Sequence, residues 1–336
     1  MELFELTKTL VNIDSVTGSE PECARFLGEY LGGMGLEVET QSVAGGRHNV
    51  FAARGKPKVV LSTHMDTVPA FFGAREDADF IYGRGSCDAK GIIATQVAAA
   101  QRLLGEGCRD FGLLFLVGEE TTSDGAQAAN LTPRGSEYII NGEPTDNRLA
   151  VGSKGNLWFR IETQGRAAHS AYPELGDSAI EKLLDILADV RRLPLPHDPV
   201  FGPSTLNIGL ISGGRAANVI PDHAGADILI RTIPEPPGVP NLRTRVDRLL
   251  EGRCNLTQVR DTPPLKLEAL EGYETQMVAF TTDLPSLTNW GRPLLIGPGS
   301  IHEAHTEGEK VPKAELLRAV DIYVKLVREL LARGNT

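Results

Sequence analysis

The stretch Leu61-Ser62-Thr63-His64-Met65-Asp66-Thr67-Val68-Pro69 opens at the end of an apolar run, residues 58–62, that reads as a short buried strand. His64 and Asp66 flank one residue, so on an extended backbone their side chains share a side. A neutral imidazole can ligate a metal while a nearby carboxylate orients its ring. Polar ligands at the carboxyl end of a buried strand are what an open α/β sheet presents.

The surrounding chain fits such a sheet. Residues 3–11 and 22–34 carry helical spacing, the second opened by Ser19-Glu20-Pro21 and stopped by Gly35. Residues 36–43 and 48–53 read as strands, 89–104 as a helix with Ile92, Ile93, Val97, Ala100 and Leu104 on one face, and 111–117 and 138–140 as buried strands. Alternating strands and helices indicate an α/β layer with a largely parallel sheet.

The texture changes near Val151. Residues 156–162, 205–211 and 226–233 look like strands with one face covered, and 178–193 and 242–250 like helices, separated by a proline-rich turn at 234–240. This suggests a small α+β sandwich. After Pro263-Pro264 the chain returns to apolar segments and ends in an amphipathic helix, 314–331. The expected organisation is a discontinuous domain, 1–152 with 264–336, interrupted by an insert, 153–263.

A chain of 336 residues with 41% hydrophobic and 23% charged residues fits a soluble globular enzyme rather than a disordered segment. A net charge of −10 without a basic stripe leaves no footprint for nucleic acid or an anionic membrane. The start, Met1-Glu2-Leu3-Phe4-Glu5-Leu6, lacks the basic and apolar regions of a signal peptide, and no apolar run spans a bilayer, so a cytoplasmic location is expected. Cys23, Cys87, Cys108 and Cys254 stand apart and read as reduced thiols, Cys87 as a small packing residue.

Three more acidic motifs follow strands, and a histidine pair closes the set. Gly83-Arg84-Gly85-Ser86-Cys87-Asp88-Ala89-Lys90-Gly91 puts Asp88 at the mouth of a helix. Glu119-Glu120 follows Val117-Gly118. Glu143 follows Asn141-Gly142. His302 and His305 lie on a loop before the last helix. Two adjacent carboxylates at a strand end are costly unless cations neutralise one and the other has a protonation task. Imidazole and carboxylate suit zinc, two close metals need a shared carboxylate, and one glutamate remains to take a proton from water.

These motifs, in this order, resemble the zinc aminopeptidase-like family of acetylornithine deacetylase, succinyl-diaminopimelate desuccinylase, aminoacylase and glutamate carboxypeptidase. The resemblance covers essentially the whole chain. The stretch 83–91 is similar to the signature of acetylornithine deacetylase, with Ala89 where that branch has methionine. The resemblance implies a zinc-aminopeptidase-like α/β catalytic domain with an inserted α+β, ferredoxin-like lid that dimerises. It implies two Zn2+ per subunit, with Co2+ or Mn2+ as substitutes. His64 and Glu143 would ligate one ion, Glu120 and His305 the other, and Asp88 both. His305 is preferred to His302 because the family's last ligand sits in an alanine-histidine-threonine context with a glutamate four positions on, here Glu309. Glu119 would be the general base and Asp66 would support His64.

In the insert, Gly165-Arg166-Ala167-Ala168-His169-Ser170 resembles the lid motif whose histidine stabilises the oxyanion in the partner subunit's site. Asn218, in Gly213-Gly214-Arg215-Ala216-Ala217-Asn218, and Arg231 resemble the groups that bind substrate, the guanidinium of Arg231 receiving the substrate's carboxylate. The implied activity is hydrolysis of an N-acyl amino acid, most like acetylornithine deacetylase and so arginine biosynthesis. Desuccinylase, aminoacylase, dipeptidase or carboxypeptidase, and carrier-protein-linked lysine or ornithine hydrolase share the catalytic groups. The chain is short for the family and 260–289 is compact, which points to trimmed substrate loops. An inactive metal-binding scaffold is the reading from another class; it would have no use for Glu119 as an unliganded base.

Overall fold

The structure, a computed structural model, describes residues 1–333. It divides into two compact units. The first comprises Met1–Val151, Leu267–Gln276 and, of the described residues, 282–333; the second comprises Gly152–Lys266 and Met277–Thr281.

In chain order the first unit begins with helices α1 (Leu3–Val11) and α2 (Pro21–Gly33), strands β1 (Glu37–Val43), β2 (Arg47–Ala53), β3 (Val59–His64) and β4 (Phe80–Tyr82), helix α3 (Lys90–Gly105), β5 (Phe111–Leu116), α4 (Asp124–Asn130) and β6 (Tyr138–Asn141). The second unit holds β7 (Gly155–Gln164), α5 (Ala179–Arg191), β8 (Thr205–Gly213), β9 (His223–Thr232), α6 (Leu242–Leu250) and β10 (Asn255–Thr262). The first unit then resumes with β11 (Arg292–Leu295), β12 (Lys310–Pro312) and α7 (Lys313–Arg333).

The main sheet runs β1-β2-β5-β3-β6-β11. β5, β3, β6 and β11 pair in parallel, while β1 and β2 form an antiparallel edge. The expected largely parallel sheet is found in four of the six strands, with an antiparallel pair added at one edge. The connection from β1 to β2 is a single short turn, Ala44–Gly46, too short for the crossover a parallel pair needs. β3 is buried at every position, as a central strand covered on both faces must be. The core gathers Leu6 and Leu10 of α1, Leu27 and Leu31 of α2, Ile93 and Val97 of α3, and Tyr323 and Val327 of α7. The first half of α3 is buried throughout, and the helix packs against α1 and α7. Pro21 opens α2 as expected, but the Glu20 carboxylate accepts from the Gly18 amide rather than capping the helix.

One element differs in placement. The strand before Asp88, β4, belongs to a separate small sheet with β12 and not to the main sheet. Asp88 therefore does not lie at a main-sheet strand end, as the other three acidic motifs do.

The second unit has the order β-α-β-β-α-β and a four-stranded antiparallel sheet, β8-β9-β7-β10, which is the ferredoxin-like arrangement. Alternate residues of β7, Leu157, Phe159 and Ile161, meet Leu183 and Leu187 of α5 and Val246 of α6. Burying each such side chain contributes about 1.5–3 kcal/mol. The Ser178 hydroxyl accepts from the Glu181 amide and caps α5; the Asn241 side chain caps α6 through Thr244.

Candidate metal centre

Three parallel strands end side by side and deliver most of the centre. His64 is the last residue of β3, Glu119 and Glu120 follow β5 after one turn, and Glu143 lies just past β6. His64 pairs in register with Leu116, so β3 and β5 end level, while Asn141 at the end of β6 lies opposite Ser62, two residues short, so that Glu143 follows beyond it. Gly118 has φ of +76°, which a side chain tolerates poorly, and it turns the chain so that both glutamates follow.

Two overlapping groups of donors result. His64, Asp88 and Glu143 form one, and Asp88, Glu120 and His305 the other; within each, the donor atoms lie within 4.8 Å of one another. Asp88 belongs to both. The His64 Nε2 is 2.9 Å from Asp88 Oδ1 and 4.0 Å from Glu143 Oε2. The His305 Nε2 is 3.0 Å from Glu120 Oε1 and 3.5 Å from Asp88 Oδ2. His305 has φ of +64°, an uncommon conformation for a non-glycine residue, while His302 belongs to neither group. Glu119 also belongs to neither, although it neighbours Glu120.

Electrostatics mark the centre as short of positive charge. Burial, with Glu143 beside it, pushes the Glu119 carboxyl well above the usual range. Burial pushes Glu143 up strongly too, against the attraction of His64. Burial raises Glu120, against its hydrogen bond from His305. Asp88 resists its burial, and bonds from His305 and His64 hold it below the carboxylate range. Burial opposes charge on His64, but Asp66 and Asp88 outweigh it and hold the ring protonated well above its ordinary value. Hydrogen bonds to Asp88 and Glu120 push His305 up to about 10. Three carboxylates and two imidazoles in the two donor groups, with the Glu119 carboxyl beside them, in a place where charge is costly, fit two divalent cations.

Asp66 has a wider role than its spacing from His64 implied. The nearest acceptor to His64 Nδ1 is the Asp66 carbonyl oxygen at 3.0 Å, with carboxylate Oδ1 at 3.4 Å. The carboxylate itself accepts the amides of Glu119 and Glu120, both at 3.1 Å, and the Thr17 hydroxyl at 2.8 Å. It thereby orients both the ring and the glutamate pair. Thr17 and Asp283 escaped the sequence reading. Asp283, buried at 1% exposure, adds like charge to Glu119 and Glu143. Neither sits in a motif that stands out by composition.

In the second unit, His169 and Asn218 share a local pairing. His169 bridges Val219, and the Ser170 amide donates to the Asn218 carbonyl oxygen at 3.0 Å. The His169 Nδ1 accepts the Ala171 amide at 3.1 Å, which puts the ring proton on Nε2. Arg231, on β9, donates from Nη1 to the Thr281 hydroxyl at 3.1 Å. Lys154 lies close enough to Arg231 to feel its charge: burial and that guanidinium lower the Lys154 ammonium.

Comparison with known proteins agrees with this architecture. The family described as the peptidase dimerisation domain matches residues 151–239. A peptidase M20 domain-containing protein of Schizosaccharomyces pombe is 39% identical over 338 residues, covering 97% of this chain and 84% of that protein. A probable carboxypeptidase of Aspergillus flavus is 35% identical, covering 97% and 87%. A tripeptidase from Staphylococcus aureus superposes with a TM-score of 0.83 over 98% of this chain and 97% of its own, at 21% identity, a likeness of fold.

Proposed function

Because the chain belongs to the M20 peptidase family of metal-dependent amide hydrolases, we propose that it cleaves the amide bond of a small N-acylated amino acid or short peptide recognised by its free carboxylate. One observation carries this reading: two donor groups share Asp88, and Glu119 stands beside them outside both. His64 and Glu143 would hold one cation, Glu120 and His305 the other, with Asp88 between them. Two such ions, zinc or in its place cobalt or manganese, would lower the pKa of water and polarise the scissile carbonyl.

The remaining chemistry belongs to the chain. Glu119, whose environment favours proton uptake, takes the proton of the attacking water and returns it to the departing amine. His169, with its proton on Nε2, donates in the partner subunit's site to the oxygen that gains charge at the carbonyl carbon. Arg231 receives the substrate carboxylate and Asn218 assists. Support for a carboxylate-bearing substrate comes from Arg231 and Lys154, two neighbouring cations, and from relatives called probable carboxypeptidases. Support for a homodimer comes from the dimerisation-domain match.

A second reading, a deacetylase acting on an acetylated amino acid such as acetylornithine, is favoured by the stretch Gly83-Arg84-Gly85-Ser86-Cys87-Asp88-Ala89-Lys90-Gly91. Both readings are tested by hydrolysis of N-acetyl amino acids, N-succinyl amino acids and dipeptides, each as free acid and as amide. Free acids should be preferred, and Arg231→Ala should erase roughly 10–100-fold of that preference, the worth of a hydrogen bond to a charged group. Equal turnover of acids and amides would reject the carboxylate reading. The best acyl group decides between dipeptidase and deacetylase.

A further inference from the structure

Between β4 and the start of α3 the chain carries Asp88, the carboxylate common to both donor groups, on a loop outside the main sheet. Such a loop needs another source of rigidity if Asp88 is to face two ions. Glu309 supplies acceptors of the right kind. It is 0% exposed. Its Oε1 accepts the amides of Gly85 and Cys87 at 3.0 Å and of Asp88 at 3.1 Å, and its Oε2 accepts from Arg84 Nη1 at 2.7 Å. Its backbone takes part as well. β12 pairs with β4, Lys310 opposite Tyr82, and the Gly83 amide donates to the Glu309 carbonyl oxygen at 3.0 Å.

We propose that Glu309 is a positioning residue: by gathering the amides of Gly85, Cys87 and Asp88 on one carboxylate, it aims Asp88 at both donor groups and couples them. This rests on the two-metal reading above. His305 lies four residues before Glu309 on the same segment, so one stretch of chain carries a ligand and clamps the loop of the shared ligand. The arrangement predicts a pattern that a one-ligand role would not give. Loss of His305 strikes one donor group. Loss of the Glu309 carboxylate loosens Asp88 and strikes both.

The test is a Co2+ titration of the metal-stripped full-length protein, followed by visible absorption, with wild type, His305→Ala and Glu309→Gln side by side. Glutamine keeps the shape but turns one oxygen into a donor, which cannot serve both the three amides and Arg84. Wild type should take up two equivalents and His305→Ala should lose one. Glu309→Gln should weaken both steps together by about 10–100-fold, the usual effect of removing a group that orients a ligand. The stripped variant's far-UV circular dichroism and cooperative melting report its folding. A wild-type titration in Glu309→Gln, or weakening of one step alone, overturns the proposal and leaves the two-metal reading standing. Wild type that binds no pair of ions overturns both. Should Glu309→Gln fail to fold, hydrogen exchange of stripped wild type decides: the amides of Gly85, Cys87 and Asp88 should be strongly protected, and fast exchange overturns the clamp.

Discussion

A buried carboxylate persists where donors meet it, and Asp66, 0% exposed, meets two amides, a hydroxyl and the edge of an imidazole. The pair His64 and Asp66 was legible because spacing by two on an extended segment is a geometric statement. The partners of Asp66 were not, since Thr17 and the Glu119 and Glu120 amides approach from other elements. His305 gives a prediction at this scale. Its ring in the folded protein holds a proton up to about 10, above an ordinary value of 6.5, through Asp88 and Glu120. In the metal-free protein its ion pairs therefore contribute stability fully below the unfolded value, and that contribution is lost as pH rises toward 10. A cation must displace the same proton, so metal affinity should rise with pH over that interval and uptake should release protons. Calorimetric titration in buffers of different ionisation enthalpy checks this; affinity independent of pH between 6 and 9 would count against His305 as a ligand.

At the scale of elements, the helices and central strands were readable from periodicity because burial of one face, or of both, leaves a clear pattern. What escaped was written in other terms. β10, Asn255-Leu256-Thr257-Gln258-Val259-Arg260-Asp261-Thr262, is an edge strand whose side chains are largely exposed, so no apolar alternation marks it. α4 has seven residues, too few for a full amphipathic repeat. The separate sheet of β4 and β12 joins segments far apart in sequence, and no local pattern announces such a pairing. The turn into α3 offers a test. A Cβ on Gly91 would lie 2.2 Å from the Ser86 carbonyl oxygen, backbone that cannot swing aside alone. Gly91→Ala should therefore cost about 1–3 kcal/mol in urea unfolding, as overpacking does, and weaken metal binding through displacement of residues 86–88. An alanine variant with unchanged stability and metal affinity would show that this turn does not constrain Asp88.

For the whole molecule, the division into two units and the family follow from different evidence: contacts within the chain for the first, relatives spanning nearly its full length for the second. The alternation of α/β and α+β texture was visible in sequence. The return of Met277–Thr281 to the second unit was not, because a five-residue segment has no periodicity to read. If His169 serves the partner subunit's site, two inactive variants should rescue each other: Glu119→Gln and His169→Ala, mixed under subunit exchange, should regain turnover that neither shows alone. Absence of rescue in a verified mixed dimer would place His169 in its own subunit's chemistry or outside it. The most direct test of the account as a whole is a comparison of metal-stripped wild type and Glu119→Gln, each reloaded with zinc while bound metal and hydrolysis of the best panel substrate are followed together. Both proteins should take up two equivalents, wild-type turnover should appear only with metal, and the variant should stay at least about 10²-fold slower, the contribution of a general base. Full turnover by Glu119→Gln, or undiminished hydrolysis by stripped wild type, would contradict the account.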